Sequence, residues 1–114
     1  MLPRDTNAHG TIFGGVILSY IDLAGGIECR RQCPKNFVTK AMHEVVFVAP
    51  VHLGDLVTFY TSVARVGTTS ITVDIEVEVE RLGPHGNRET LKVTEAEVTY
   101  VAVDANGRPE AIRK

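Results

Sequence analysis

The 114-residue chain has no tryptophan, two cysteines, two methionines and no block of basic residues. Each scarcity removes a class of function. Twelve Lys and Arg against fourteen Asp and Glu give a net charge of −2. That balance argues against a nucleic-acid partner, while leaving room for a local patch that meets a small anion. No apolar run reaches about 18 residues, and no signal-peptide pattern opens the chain, so no membrane role is expected. Cys29 and Cys33 are not spaced as CxxC and have no second cluster of ligands. They read as free thiols in a reducing compartment, which points to the cytoplasm. His43, His52 and His85 are too scattered for a zinc site. No GxSxG elbow is present, so a serine-hydrolase mechanism has no support.

What is present is an ordinary globular composition, 44% hydrophobic and 23% charged. It suits one domain, 1–114, with a single core, near the size at which oligomerisation helps bury further surface. The first eleven residues, "MLPRDTNAHGT", carry loop chemistry, and Asn7 or Thr11 can cap a helix. That helix is predicted from about Ile12 to Arg31, closed by Arg30, Arg31 and Pro34. Strands are predicted at 37–50, at 56–66, at 71–80 and at 89–104. In the third of these, Ile71, Val73, Ile75, Val77 and Val79 alternate with Thr72, Asp74, Glu76, Glu78 and Glu80. That is period 2, one buried face and one wet acidic face. The class is α+β: one long helix, then four antiparallel strands able to curl around it.

The helix is unusual in carrying Gly14, Gly15, Gly25 and Gly26, since an interior glycine costs about 0.5–1 kcal/mol relative to alanine. On a helical wheel Phe13, Val16, Ile17, Tyr20, Ala24 and Ile27 share a side, which is expected to pack on the sheet. Asp22 falls nearly opposite, among Leu18, Ser19, Gly15, Gly25, Gly26 and Cys29. A stripe so small and so poor in charge is expected to meet a neighbouring subunit, a substrate or both. Asp22 is then the one charge in a close-packed crevice, a setting for a catalytic carboxylate. Gly14 and Gly15 leave first-turn N–H groups uncovered at the positive end of the helix dipole, where they can donate to a developing oxyanion.

Taken together, "DTNAHGTIFGG", "YIDLAGG", "VVFVAPVHLGDLV", "RVGTTSITVDIEVEVER" and "VTYVAVDANGR" resemble the hot-dog fold acyl-CoA thioesterases. The likeness is to the YciA-like bacterial hydrolases and the brain-type cytosolic acyl-CoA hydrolases, and it spans nearly the whole chain. The resemblance implies hydrolysis of acyl-CoA to a free fatty acid and CoA, with no metal and no cofactor beyond the CoA of the substrate. It assigns Asp22 as general base or nucleophile. Asn7, supplied by the opposite subunit of a dimer, orients water or carbonyl, and the Gly15 N–H polarises the thioester carbonyl. It implies a homo-oligomer, a dimer assembling further as a trimer of dimers. The loop Arg65, Gly67, Thr68, Thr69 and Ser70 matches the one that meets CoA phosphates, with Arg65 or Arg81 supplying charge.

Two departures stand out. The family usually has a further strand before the DTN block, where this sequence has only "MLPR", so that strand is expected to be absent or outside the numbered chain. Position 9 is His, where asparagine or a small residue is usual, and His9 is a candidate modulator. Two other readings compete. One is a non-catalytic acyl-CoA binding module. The other is a hot-dog 3-hydroxyacyl thioester dehydratase using His9 with Asp22.

Overall fold

The protein's structure is a computed structural model that describes residues 14–83 and 85–112. It consists of helix α1 (Gly14–Gln32) and then β1 (Asn36–Phe47), β2 (Leu56–Val66), β3 (Ser70–Leu82) and β4 (Arg88–Val103). The strands form one antiparallel sheet in the order β1-β4-β3-β2. The sheet curls so that α1 packs against all four strands. β3 and β4 are central and carry the core. Ile71, Val73, Ile75, Val77 and Val79 are all buried, as are Ala96, Val98 and Tyr100 of β4. At about 1.5–3 kcal/mol per buried aliphatic side chain, the β3 alternation alone is a large part of what holds the helix to the sheet. Asp74 and Glu76 point outward, as period 2 requires.

The helix ends one residue past the predicted Arg31, in a last turn holding Arg30 and Arg31. Its predicted start at Ile12, together with Phe13, lies outside the described residues. The predicted packing side of the helix is corrected. The buried stripe is Ile17, Ile21, Gly25, Glu28 and Cys29, about a quarter turn from the side expected. Tyr20 and Ile27 stand 42% and 53% exposed, and Leu23 is exposed beside them. The reason is that this helix is apolar nearly all round, so hydrophobic periodicity does not choose a face. The choice is made by Tyr100 of β4, whose ring occupies the space where Gly25 has no side chain. A Cβ there would collide with the phenol oxygen. Gly25 is therefore an intrachain packing residue, and so is Cys29, which is fully buried. Neither belongs to a face open to a second molecule.

β1 is interrupted by a bulge between His43 and Val46, where Glu44 takes a left-handed φ of 44°. An extra residue here kinks the strand that borders Asp22. Cys29 and Cys33 are both unpaired and buried. Burial, aided by the neighbouring Glu28 carboxylate, pushes the Cys29 thiol up to about 12, so it stays protonated and unreactive at neutral pH.

Candidate active site

Asp22 sits mid-helix, half-buried, on the side that leans toward β1. The Thr39 hydroxyl of β1 donates to its Oδ1. The Tyr100 hydroxyl, at 2.7 Å, donates to the Asp22 backbone carbonyl. The helix is thus fixed at this residue from two strands, β1 through the side chain and β4 through the main chain. One carboxylate oxygen is oriented by a neutral donor, and no cation is paired with Asp22 among the described residues. Burial first, and the Asp22 charge second, push the Tyr100 phenol well above its ordinary value, so Tyr100 serves as a donor and not as an acid or base at neutral pH.

Gly15 is exposed, and no described atom lies within 4 Å of where its Cβ would stand. Its carbonyl accepts the Ser19 hydroxyl at 3.0 Å. Gly14, one residue earlier, faces the Phe47 ring, whose nearest carbon would be 3.4 Å from an added Cβ. Asp22 and Gly15 are seven residues apart on one helix, close to two turns, so they lie on the same side about 10 Å apart along the axis. Asn7 and His9 lie outside the described residues.

The loop Arg65–Ser70 is the tip of the β2–β3 hairpin. Gly67 N–H donates to the Ser70 carbonyl at 2.7 Å, closing the turn, so that amide is not free to hold a phosphate. The Thr68 and Thr69 carbonyls accept from Ile112 and Ala102 N–H, both at 2.8 Å. This anchors the loop to the C-terminal segment. Thr68 is exposed, and Thr69 and Ser70 are half-buried. Their hydroxyls make no hydrogen bond to a described protein group. Arg65 is exposed and pairs loosely with Glu97 at 3.6 Å. Arg81, the alternative cation, is corrected. It grips Asp55 through Nε at 3.1 Å and through a terminal nitrogen at 2.6 Å, and also donates to the Pro50 carbonyl. It is eleven residues along β3 from Ser70, about 36 Å of strand, and so belongs to the opposite end of the sheet. Among the described residues, no hydrogen bond or ion pair links the loop to Asp22.

Sequence reasoning missed Thr39, Tyr100 and Glu28. Thr39 reads as one more β-branched strand residue, and Tyr100 as one more aromatic. Only the register, which pairs Thr39 with Tyr100, brings both to Asp22. Glu28 does carry a signal in the sequence, an acid on the same helical side as Ile17 and Ile21. It is buried, accepting from Gln32 at 2.7 Å, Thr61 at 3.0 Å and Arg31 at 3.4 Å.

Comparison with known proteins agrees with this architecture. A family profile described as the thioesterase superfamily matches residues 9–83. The acyl-CoA thioester hydrolase YciA of Escherichia coli (strain K12) is 39% identical over 111 residues, covering 97% of this chain and 84% of that one. A hexameric hotdog-fold thioesterase of Campylobacter jejuni superposes with a TM-score of 0.93 at 46% identity, covering 98% of this chain and 84% of that one. A hexameric broad-specificity acyl-coenzyme A thioesterase superposes with a TM-score of 0.93 at 38% identity, covering 99% and 81%.

Proposed function

The chain belongs to the thioesterase superfamily, and from that footing we infer that it is an acyl-CoA hydrolase whose water-activating group is Asp22. The observation that carries the assignment of Asp22 is its placement. It is a half-buried carboxylate without a cation partner among the described residues, oriented by Thr39, two turns along α1 from the exposed Gly15.

These parts suffice for the chemistry. Asp22 takes a proton from water as the water oxygen bonds to the thioester carbon, or attacks that carbon itself to give an anhydride that water then opens. The carbonyl oxygen becomes negative and is met by the Gly15 N–H at the positive end of α1. The C–S bond breaks, the electron pair leaves on the CoA sulfur, and the proton returns to that thiolate. No step calls for a metal or a prosthetic group. Thr68, Thr69 and Ser70 hydroxyls and the Arg65 guanidinium receive the CoA phosphates. The Gly67 amide, already used in the turn, shapes the loop and does not bind.

The proposed assembly is a dimer built across β1. β1 is an outer strand of the sheet, and it exposes Val38, Met42, Val46 and Phe47. The sheet margin beside Asp22 is therefore both unpaired among the described residues and apolar, a combination that a second copy satisfies. Asn7 of one protomer then completes the site with Asp22 of the other, and three dimers form the hexamer. No described helix is long and apolar enough to cross a membrane, and we place the enzyme in the cytoplasm.

Thiol release from acyl-CoAs of graded chain length tests the activity. The shared site is tested by refolding Asn7→Ala and Asp22→Ala together. Random pairing makes about half of the dimers mixed, each with one intact site, so about a quarter of the wild-type sites return. Verified mixed dimers that stay as inactive as the parents would rule out the cross-subunit pair.

A further inference from the structure

The two side chains that hold Asp22 come from a single rung of the sheet. Thr39 of β1 and Tyr100 of β4 are register partners, so they stand side by side toward α1. Thr39 donates to the Asp22 carboxylate, and the Tyr100 phenol donates at 2.7 Å to the Asp22 main-chain carbonyl. The second bond is not needed to satisfy the helix, because a carbonyl inside an α-helix already has a donor in the N–H four residues on. The fold nevertheless makes room for it. Tyr100 is buried, and its ring fills the place of a side chain at Gly25, where a Cβ would collide with it. Glycine within a helix is destabilising relative to alanine, so the contact is kept at a cost that packing alone does not require.

We propose that Tyr100 is a positioning residue for thioester hydrolysis, anchoring the main chain of Asp22 while the Asp22 carboxylate changes charge. This rests on the reading of Asp22 as the water-activating group. The reaction treats the two hydrogen bonds differently. The carboxylate gives up its negative charge when it takes the proton or bonds to the acyl carbon. A hydrogen bond to a charged acceptor is about twice as strong as one to a neutral acceptor, so the Thr39 bond weakens at the moment when position matters most. The carbonyl keeps its charge throughout, and the Tyr100 bond to it persists. Burial first, and the Asp22 charge second, push the phenol up, so this donor keeps its proton across the neutral range. A misplacement of about 1 Å at a reacting group can cost about 10²-fold in rate. Tyr100 is buried and bonded to the helix, so it acts through Asp22. Its loss therefore falls on kcat and not on KM.

The test measures kcat and KM for thiol release from acyl-CoA in wild type, Tyr100→Phe, Gly25→Ala and the double variant. Tyr100→Phe keeps the ring and removes the hydroxyl. Gly25→Ala keeps the hydroxyl and displaces it from the carbonyl. Each should lower kcat about tenfold with KM within about twofold. The double variant should lose little more than either single one, because both remove the same bond. Val79→Ala reports what lost stability does by itself. Val79 is buried and lies eight residues along β3 from Ile71, the partner of Tyr100, about 26 Å of strand. It should melt lower and keep the wild-type kcat. Gly25→Ala carries the comparison if Tyr100→Phe does not fold, and the reverse. The positioning role is overturned by a folded variant with wild-type kcat, by a loss confined to KM, by losses that multiply in the double variant, or by an equal kcat loss in Val79→Ala. A fully active Asp22→Ala, or wild-type protein that releases no thiol from any acyl-CoA, overturns instead the reading on which it rests.

Discussion

The two halves of helix α1 obey opposite rules. In the carboxyl half the buried carboxylate is answered. Glu28 is held by Gln32, Thr61 and Arg31, Gly25 receives the Tyr100 ring, and Cys29 and Cys33 are sealed in the core. In the amino half Gly15 is exposed, and Asp22 has a neutral donor and no cation among the described residues. The lesson is a division of labour along one element. One half anchors the helix with satisfied, buried contacts. The other leaves groups unpaired, and so available to a substrate, where an isolated folding unit would have paired them.

The largest expected effect breaks the open half alone. Asp22→Ala should cut thioester hydrolysis by about 10²–10⁴-fold. Its melting temperature should stay close to that of wild type, because Asp22 contributes one side-chain hydrogen bond to the fold. A thiol-release assay beside thermal denaturation separates the two. An active variant would remove Asp22 from the mechanism.

Gly25→Val should do the reverse, by breaking the anchored half. The new side chain collides with the phenol of Tyr100, which must leave its place and give up its bond to the Asp22 carbonyl. Overpacking of this kind costs about 1–3 kcal/mol and the lost hydrogen bond about 1 more. Urea denaturation reads the loss. A fully stable variant would show that Gly25 does not fix the helix face.

The acid limb of stability sharpens the contrast. The Gln32 hydrogen bond first, with Thr61 and Arg31, lowers the Glu28 carboxyl below its ordinary 4.5, against the opposing effect of burial. A folded-state value below the unfolded one means that the unfolded state binds the proton more readily. The stabilisation is therefore complete above pH of about 4.5 and lost as pH falls through the lower folded value. Glu28→Gln should remove that portion of the pH dependence and cost about 1–3 kcal/mol at neutral pH. Denaturation midpoints measured from neutral pH down through the acid limb check both. An unchanged acid slope would mean that Glu28 is not a net contributor.

The smallest effect on stability is at Gly15. An alanine Cβ there meets nothing within the described chain, and replacing glycine within a helix gains about 0.5–1 kcal/mol. Gly15→Ala should fold at least as well as wild type, whereas Gly15→Val should lose hydrolysis by crowding the carbonyl beside the amide. Normal kcat/KM in Gly15→Val would exclude the oxyanion role.

Strand boundaries were mostly legible because they depend on local chemistry, the exception being β1, which was expected to reach Pro50 and stops at Phe47. The β3 alternation, the Gly67–Ser70 and 83–87 turns and the Pro34 stop each act within a few residues of chain, and β2 begins and ends where its pattern does. Asp22 stood out as a lone charge among small residues, and the family likeness gave it a role. What was not legible depends on pairs distant in sequence. The phenol that chooses the helix face is 78 residues from the carbonyl it binds, and Thr61 is 33 from Glu28. A helix apolar on every side contains no local preference that ranks its faces, so its rotation was decided by the one strand side chain that needed a glycine opposite. The availability of Arg81 was decided in the same way, by Asp55 across a strand pair. Composition and periodicity determine which segments become strands and which side of a strand is wet. Only tertiary packing, through sterics and hydrogen bonds between such segments, decides which polar groups are consumed by the fold and which are left for chemistry.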